Sequence, residues 1–164
     1  ADKWILHRFN ETVKEVNKNI TDYRIGETAQ VLYEFFWNTY CDWYVEMAKI
    51  QLQDQNTRLN TQRVLRYVLE RTLRLLHPIM PHITEEIWQL LPGNIYKDNK
   101  KAIVLAEFPQ YSDNFINTAA EKSMNVIIET VKCLRNIRQT LNIPVSGKLK
   151  IQIFCENGCI NWNI

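Results

Sequence analysis

The chain holds few side chains in arrangements that support catalysis. Ser123, His77 and His82 are not accompanied by residues that would form a recognisable pair of nucleophile and base. The 4 glycines build neither a G-x-x-x-x-G-K loop nor a G-x-G-x-x-G loop for phosphates. His77 precedes Pro78, a position more typical of a helix C-terminus than of a ligand. The sequence therefore predicts no catalytic residue.

Metal ligation is not predicted either. The 4 cysteines include no C-x-x-C pair, and Cys155 and Cys159 are spaced more widely than the ligand pairs of structural zinc sites. Cys41 and Cys133 lie within helical patterns, where an unpaired thiol in a reducing compartment is the simpler interpretation. We expect this chain to bind no metal and no cofactor.

Cationic side chains are concentrated in two segments and suggest that the chain binds phosphates. Residues 58–77 include 5 arginines and 1 glutamate, and residues 122–150 include 6 lysines or arginines and 1 glutamate, although the formal net charge is only +2. Such clusters favour contact with a polyanion such as nucleic acid, but they also occur as ordinary solvated helix faces. The candidate RNA-binding residues are Lys132, Arg135, Asn136, Arg63, Arg66 and Arg74.

An aromatic segment, FFWNTYCDWYVE, predicts the helix against which the others pack. It has 6 aromatic residues in 12 positions, too many for a surface helix. Trp43 and Tyr44 could stack on bases, although core packing is the simpler interpretation. Asp42 and Glu46 interrupt the apolar surround and need a cationic partner nearby. With α-helical periodicity, the apolar face is expected to consist of Ala29, Leu32, Tyr33, Phe36, Tyr40, Trp43, Met47 and Ile50.

Helical periodicity predicts further helices on either side of this segment. They are expected over about 4–20, 61–77, 81–91 and 114–142, with the polar run 54–60 forming a turn. The first has an apolar stripe of Ile5, Phe9, Val13, Val16 and Ile20, and we expect Pro78 to end the second and Pro81 to open the third. In the basic helix 61–77, one polar face is expected to carry Arg63, Arg66, Glu70 and Arg74.

Arg138 falls within the apolar stripe of the last helix. That stripe is expected to be buried and to consist of Ile127, Val131, Leu134, Ile137 and Leu141. A buried guanidinium needs an anionic partner, and we expect Arg138 to form a structural ion pair with Asp42 or Glu46 rather than to contact RNA.

These elements predict an all-α helical bundle with a short β segment at its C-terminal end. The bundle is expected over residues 1–146, and residues 147–164 are expected to begin a truncated C-terminal subdomain. The alternation in KLKIQIF predicts a lone strand without a partner, and VLAEF is a possible second short strand. The absence of a membrane-spanning run and of a signal peptide predicts a cytoplasmic protein, or one of an organellar stroma or matrix.

Four motifs occur in the order found in class I aminoacyl-tRNA synthetases of the valyl family. They are ADKWILHRFN, YEFFWNTYCDWYVEMAK, LLHPIMPHITEEIWQLL and CLRNIRQTLNIPVSGKL. From residue 1 to about 153 the chain resembles the anticodon-binding domain of valyl-tRNA synthetases, as a truncated fragment. One departure is His82, where a phenylalanine is commoner in that family.

The resemblance implies a module that binds the anticodon stem-loop of valine tRNA and adjoins the catalytic domain of the same enzyme. Signatures of the H-I-G-H and K-M-S-K-S types are absent from the sequence. Ligation of valine to tRNA, with its ATP and Mg²⁺, would therefore belong to a catalytic domain that this chain lacks, and the chain itself is expected to be inactive.

Two alternatives stay open at this point. The chain could be a structural or protein-interaction bundle whose basic helices are only solvated faces. It could also be the equivalent domain of an isoleucyl- or leucyl-tRNA synthetase.

Overall fold

The computed structural model describes residues 1–91, 102–143, 150–155 and 158–163. These residues belong to two compact units, Ala1–Met124 and Asn125–Ile164, and each unit is described by itself. The predicted domain boundary at 146/147 lies outside the described residues.

The first unit is helical, which confirms the predicted helical bundle. Helix α1 (Asp2–Thr21) buries Ile5, Phe9, Val13 and Val16, which recur at steps of three and four as expected. The ring of Phe9 lies 5.6 Å from that of Phe35 and 6.4 Å from that of Tyr67. The elements that follow α1 are α2 (Ile25–Tyr33), a π-helical segment (Glu34–Val45), α3 (Glu46–Gln51), α4 (Gln55–Leu76) and α5 (Pro81–Leu90). The two aromatic contacts join α1 to the π-helical segment and to α4.

The π-helical segment changes which aromatic residues are buried. The interior receives Leu32, Phe35, Tyr40, Tyr44 and Ala48. The face predicted from α-helical periodicity is therefore wrong in part, since Tyr33 and Ile50 are exposed and Phe36, Trp43 and Met47 are only half-buried. Hydrogen bonds from residue i to i+5 place more residues in each turn, so the buried positions are five apart between Phe35 and Tyr40.

Helix α4 begins earlier than predicted because residues 54–60 are not a turn. The side chain of Asp54 accepts a hydrogen bond from the backbone N–H of Asn56 at 3.0 Å and caps the helix, which starts at Gln55. The helix ends at Leu76, two residues before Pro78, and α5 begins at Pro81, as predicted.

The chain between α5 and the last helix is irregular where it is described. It forms 3-10 turns at Ile103–Leu105 and Asp113–Phe115. The short strand considered for VLAEF is therefore wrong, since Val104 and Leu105 belong to the first of these turns.

Helix α6 (Thr118–Thr140) runs from the first unit into the second. Two residues after its end, Asn142 adopts φ 51°, a left-handed conformation that asparagine tolerates, so that Ile143 N–H can donate to Arg138 O at 2.9 Å. Among the described residues no element covers the stripe predicted to be buried: Ile127, Ile137 and Leu141 are exposed, and Val131 and Leu134 are half-buried. Periodicity defines an apolar face but does not show that anything covers it.

The part of the second unit described after α6 forms two strands. Strand β1 (Lys150–Cys155) lies where the alternating pattern predicts a strand. It pairs antiparallel with β2 (Gly158–Asn163), with Ile151 opposite Trp162 and Ile153 opposite Ile160. The expectation that this strand has no partner is therefore wrong.

Candidate nucleic-acid interface

The exposed polar side chains of α6 form the clearest candidate for an RNA-binding surface. Lys132, Arg135 and Asn136, here called the α6 basic surface, lie three and four residues apart and are all exposed. Lys132 Nζ is 3.2 Å from Glu129 Oε1, with the two side chains 58% and 71% exposed. A pair this exposed contributes little to stability and can exchange its carboxylate for a phosphate. The structure therefore places these three predicted residues together.

The arginines predicted as RNA contacts on α4 differ in exposure. Arg63 is exposed, and Arg66, three residues further on, is half-buried. Arg74 lies close to the interior, because its side chain is only 11% exposed and forms an ion pair with Glu70. The helix does not present the three arginines as one surface, and Arg63 is the most accessible of them to a phosphate.

Arg74 belongs to a buried group of charges that consists of Glu70, Arg71 and Arg74, here called the Glu70 cluster. Glu70 is 3% exposed, and Arg71 Nη1 lies 3.6 Å from its Oε2. Arg74 also donates from Nη1 to Glu107 O at 3.1 Å, and the Arg71 guanidinium lies 3.8 Å from the Tyr67 ring centroid. Two arginines and a ring contact thus compensate for the burial of one carboxylate.

The prediction that Glu70 lies on a polar outer face of α4 is wrong. The segment that follows α5 packs on this side of the helix, where Glu107 accepts the hydrogen bond from Arg74 and Phe115 lies 5.8 Å from Tyr67. A helical wheel ranks the faces of one helix but does not show where a later irregular segment will pack.

The two aromatic residues considered for base stacking have different environments. Tyr44 is fully buried, and its hydroxyl donates to Asp2 Oδ1 at 3.0 Å. Burial raises the pKa of Tyr44 above its ordinary value, and the nearby Asp2 carboxylate raises it further. Tyr44 is therefore a core residue, which is the simpler of the two interpretations. Trp43 is half-buried.

The carboxylates predicted to pair with Arg138 lie on the surface of the first unit. Asp42 is exposed, and Glu46 accepts a hydrogen bond from Lys49 Nζ at 2.6 Å with both side chains about 60% exposed. Neither carboxylate is buried, so the desolvation that would demand a cationic partner is absent. Arg138 is half-buried in the second unit, and its pairing with Asp42 or Glu46 stays a prediction.

Two polar groups that sequence reasoning missed fix the ends of helices. Asp2 accepts hydrogen bonds from Asn60 at 2.6 Å and Thr61 at 3.1 Å as well as from Tyr44, which joins the start of α1 to α4 and the π-helical segment. An aspartate in the first turn of α1 is the only signal of this group in the sequence.

The second group is centred on His7, which is 4% exposed. Asn117 N–H donates to His7 Nδ1 at 3.3 Å, so the imidazole proton is assigned to Nε2, which lies 3.1 Å from Glu121 Oε2. Arg8 donates to the other oxygen of Glu121 at 3.3 Å. This group anchors the first turn of α6 to α1. Its sequence signal is weak, namely a histidine near the apolar stripe of one helix and a glutamate in the first turn of another.

The side chains considered for catalysis are engaged in local structure. Ser123 Oγ donates to Ala119 O at 3.0 Å, and His77 Nδ1 lies 2.8 Å from the hydroxyl of Thr84, while His82 is exposed.

Among residues 1–91 and 102–143 there is no group of three or more His, Cys, Asp or Glu side chains that could hold a metal ion. None of the helices in the described ranges is long and apolar enough to cross a membrane.

Comparison with known proteins gives this geometry a context. Residues 2–153 match the family described as the anticodon-binding domain of tRNA ligase. The chain is 42% identical over 162 residues to a valine–tRNA ligase of Bacillus thuringiensis subsp. konkukian, an alignment that covers 98% of this chain and 18% of the relative. It is 43% identical over 158 residues to a valine–tRNA ligase of Clostridium acetobutylicum, covering 95% of this chain and 17% of that relative. The chain thus spans less than a fifth of the length of these relatives, and it belongs to the family of anticodon-binding domains of tRNA ligases.

Proposed function

We propose that this chain binds the anticodon stem-loop of valine tRNA and serves as the tRNA-recognition module of a valine–tRNA ligase. The observation that carries the proposal is the family match over residues 2–153 together with more than 40% identity to valine–tRNA ligases. ATP, Mg²⁺ and the ligation of valine to tRNA belong, in this proposal, to the remainder of the ligase, and the chain contributes affinity and specificity for the tRNA.

The α6 basic surface has the chemistry that such binding requires. Phosphates are held by lysine and arginine, and unpaired loop bases are read by guanidinium planes and by amide hydrogen bonds. Lys132, Arg135 and Asn136 supply an ammonium, a guanidinium and a side-chain amide within one helical turn, and all three are exposed. Arg63 provides a further exposed guanidinium on α4.

The direct test measures how tightly this chain and the complete ligase bind a fluorescent anticodon stem-loop from valine tRNA. Binding is followed by fluorescence anisotropy at several salt concentrations. Because bound cations displace counterions from phosphates, log K is expected to fall linearly with log salt, by roughly 0.7 to 0.9 per phosphate contacted. A stem-loop of the same length with substituted anticodon bases is the matched control. It is expected to bind more weakly while keeping the same salt slope, because the substitution removes interactions with bases and leaves those with phosphates in place.

Three results would count against the proposal. Salt-independent binding would remove the role of the basic side chains. Equal affinity for the two stem-loops would show that the chain does not recognise the valine anticodon and is a general RNA-binding module. Failure of both stem-loops to bind the complete ligase would leave the structural or protein-interaction bundle as the better description.

A further inference from the structure

Helix α6 packs little against the rest of the described chain. Of its residues 118–140, all of which are described, Met124 is the one that is buried. Beyond it, Val126 and Ile127 are exposed. Most of the stability of a helix in a protein comes from the packing of an apolar face. The part of α6 that carries the α6 basic surface therefore gains little stability from the described residues.

The sequence of this part of α6 does not favour a helix either. Residues 125–140 include the β-branched residues Val126, Ile127, Ile128, Val131 and Ile137. Such side chains lose rotamer freedom in a helix, which lowers their helix propensity relative to alanine or leucine. An isolated helix of about 12 to 15 residues is marginal in water even when it is rich in alanine. Residues 125–140 therefore need support from elsewhere to stay helical.

The start of α6, in contrast, is held by side chains of α1. Asn117 caps the helix, because its Oδ1 accepts from Ala120 N–H at 2.9 Å, and its own N–H donates to His7 Nδ1 at 3.3 Å. His7 Nε2 lies 3.1 Å from Glu121 Oε2, and Arg8 Nη1 lies 3.3 Å from Glu121 Oε1. Two residues of α1 thus hold both the cap and the first turn of α6. His7, Arg8, Asn117 and Glu121 are here called the His7 group.

A fixed first turn matters most for a helix with little other support. Forming the first turn of a helix is unfavourable by a factor of about 10³, whereas each later residue adds a hydrogen bond at a much smaller cost. The His7 group holds the first turn of α6 within the folded first unit, so the residues that follow do not have to overcome this factor. The position of Glu121 helps further, since a carboxylate in the first turn interacts favourably with the helix dipole.

The α6 basic surface exists only while residues 125–140 are helical. Lys132, Arg135 and Asn136 are three and four residues apart, a spacing that shares one face of an α-helix but not one face of an extended chain. If this part of α6 opens, RNA can bind only the helical fraction of the molecules, and the apparent affinity falls in proportion to that fraction.

We infer that His7 and Glu121 are positioning residues for RNA binding, because their contact starts α6 and so keeps the α6 basic surface on one helix face. This inference rests on the proposed function. Neither side chain has to touch RNA in this role. His7 is buried, and the carboxylate of Glu121 would repel a phosphate.

The variant Glu121→Ala in the complete ligase tests the inference. It removes the acceptor for His7 and Arg8 from a side chain that is 29% exposed. Hydrogen exchange followed by mass spectrometry measures the protection of peptides from residues 125–140, and fluorescence anisotropy measures affinity for the anticodon stem-loop. Glu121→Gln keeps an oxygen acceptor without the charge and is the rescue variant. Asn17→Ala, which removes the hydrogen bond of 3.1 Å from Asn17 Nδ2 to Pro109 O, is the matched control on α1.

In Glu121→Ala we expect amide exchange over residues 125–140 to become roughly tenfold faster, because this part of α6 then opens without unfolding of the first unit. Affinity for the stem-loop is expected to fall about threefold or more, as the helical fraction falls. A simple charge effect has the opposite sign, since the loss of an anion would strengthen RNA binding. Glu121→Gln is expected to restore most of the protection and affinity, and Asn17→Ala to leave both nearly unchanged.

Four results would overturn the inference. The first is unchanged exchange over residues 125–140 in Glu121→Ala, and the second is an affinity that stays the same or rises. The third is a fall in affinity without faster exchange, which would make Glu121 itself an RNA contact. The fourth is faster exchange that extends through residues 1–91, which would show that the His7 group serves the fold of the first unit and not α6 in particular.

The wild-type ligase separates this inference from the proposed function. If the wild type fails to bind the stem-loop while Glu121→Ala still loses protection over residues 125–140, tRNA recognition is refuted and the role of the His7 group in starting α6 remains. If the wild type binds the stem-loop and Glu121→Ala matches it in both exchange and affinity, the inference alone is refuted.

Discussion

The Glu70 cluster and the α6 basic surface use the same residue type for opposite purposes. In the Glu70 cluster, arginines lie against a carboxylate that is 3% exposed, and Arg74 also donates to the backbone at Glu107. On α6, Lys132 and Arg135 are exposed, and the carboxylate of Glu129 that meets Lys132 is exposed as well. Burial, and not residue type, therefore separates the arginines that compensate a buried carboxylate from the cations that lie exposed on a helix.

Removal of the buried carboxylate should have the largest effect. Glu70→Ala leaves Arg71 and Arg74 without their shared anion, and the free energy of unfolding is expected to fall by about 3 to 5 kcal/mol. Denaturant unfolding measures the loss. Glu129→Ala, which breaks the exposed pair with Lys132, is the control and should cost less than about 1 kcal/mol. Equal losses in the two variants would show that the Glu70 cluster does not act as a buried ion pair.

Charge reversal on α6 should affect binding and spare stability. In the double variant Lys132→Glu with Arg135→Glu, affinity for the anticodon stem-loop is expected to fall about tenfold or more. The slope of log K against log salt is expected to become shallower by roughly one for each phosphate that the variant no longer binds. The free energy of unfolding should stay within about 0.5 kcal/mol, since both side chains are exposed. Lys18→Glu, an exposed reversal on α1, is the matched control and should leave affinity nearly unchanged. An equal fall in affinity for the control and the double variant would indicate a general charge effect.

Two buried tyrosines should make stability depend on alkaline pH. Burial raises the pKa of both Tyr40 and Tyr44 in the folded chain, whereas in the unfolded chain they ionise near pH 10. Their contribution to the free energy of unfolding is therefore complete below about pH 10 and is lost as the pH rises above it. Denaturant unfolding at pH 8 and pH 11 measures this loss. Replacing both tyrosines with Phe should make the free energy of unfolding nearly independent of pH above pH 10. If it still falls as steeply in that variant, other groups cause the pH dependence.

The smallest effect is expected at Arg138. This side chain is half-buried, so Arg138→Ala should lower the free energy of unfolding by about 1 kcal/mol or less, in contrast to Glu70→Ala. Thermal and denaturant unfolding measure the difference. A loss of about 3 kcal/mol or more would instead support the predicted ion pair with Asp42 or Glu46.

The predictions that succeed depend on local patterns. The apolar stripe of α1 and the proline boundaries of α4 and α5 are encoded in short stretches of sequence, and the structure confirms them. The grouping of Lys132, Arg135 and Asn136 on α6 is also predictable, since spacing and residue type suffice to place exposed polar side chains on one helix face.

The predictions that fail depend on what packs against a helix. The burial of Glu70 follows from an irregular segment more than 30 residues further along the chain, where Glu107 lies. The exposure of Ile127 and Ile137 follows from the lack of a covering element among the described residues. The roles of Asp2 and His7 likewise arise from partners distant in sequence, which periodicity cannot supply.

The π-helical segment makes the length of this region as constraining as its composition. Deleting one residue between Phe35 and Tyr40 would leave these two residues four apart, a spacing that shares one face of an α-helix, so both would stay buried only if the bonding changed from π-helical to α-helical. Inserting one residue there would leave them six apart, and either Phe35 or the later pair Tyr40 and Tyr44 would then turn away from the interior. Substitutions between similar aromatic residues are therefore easier for this segment to accommodate than the gain or loss of a single position.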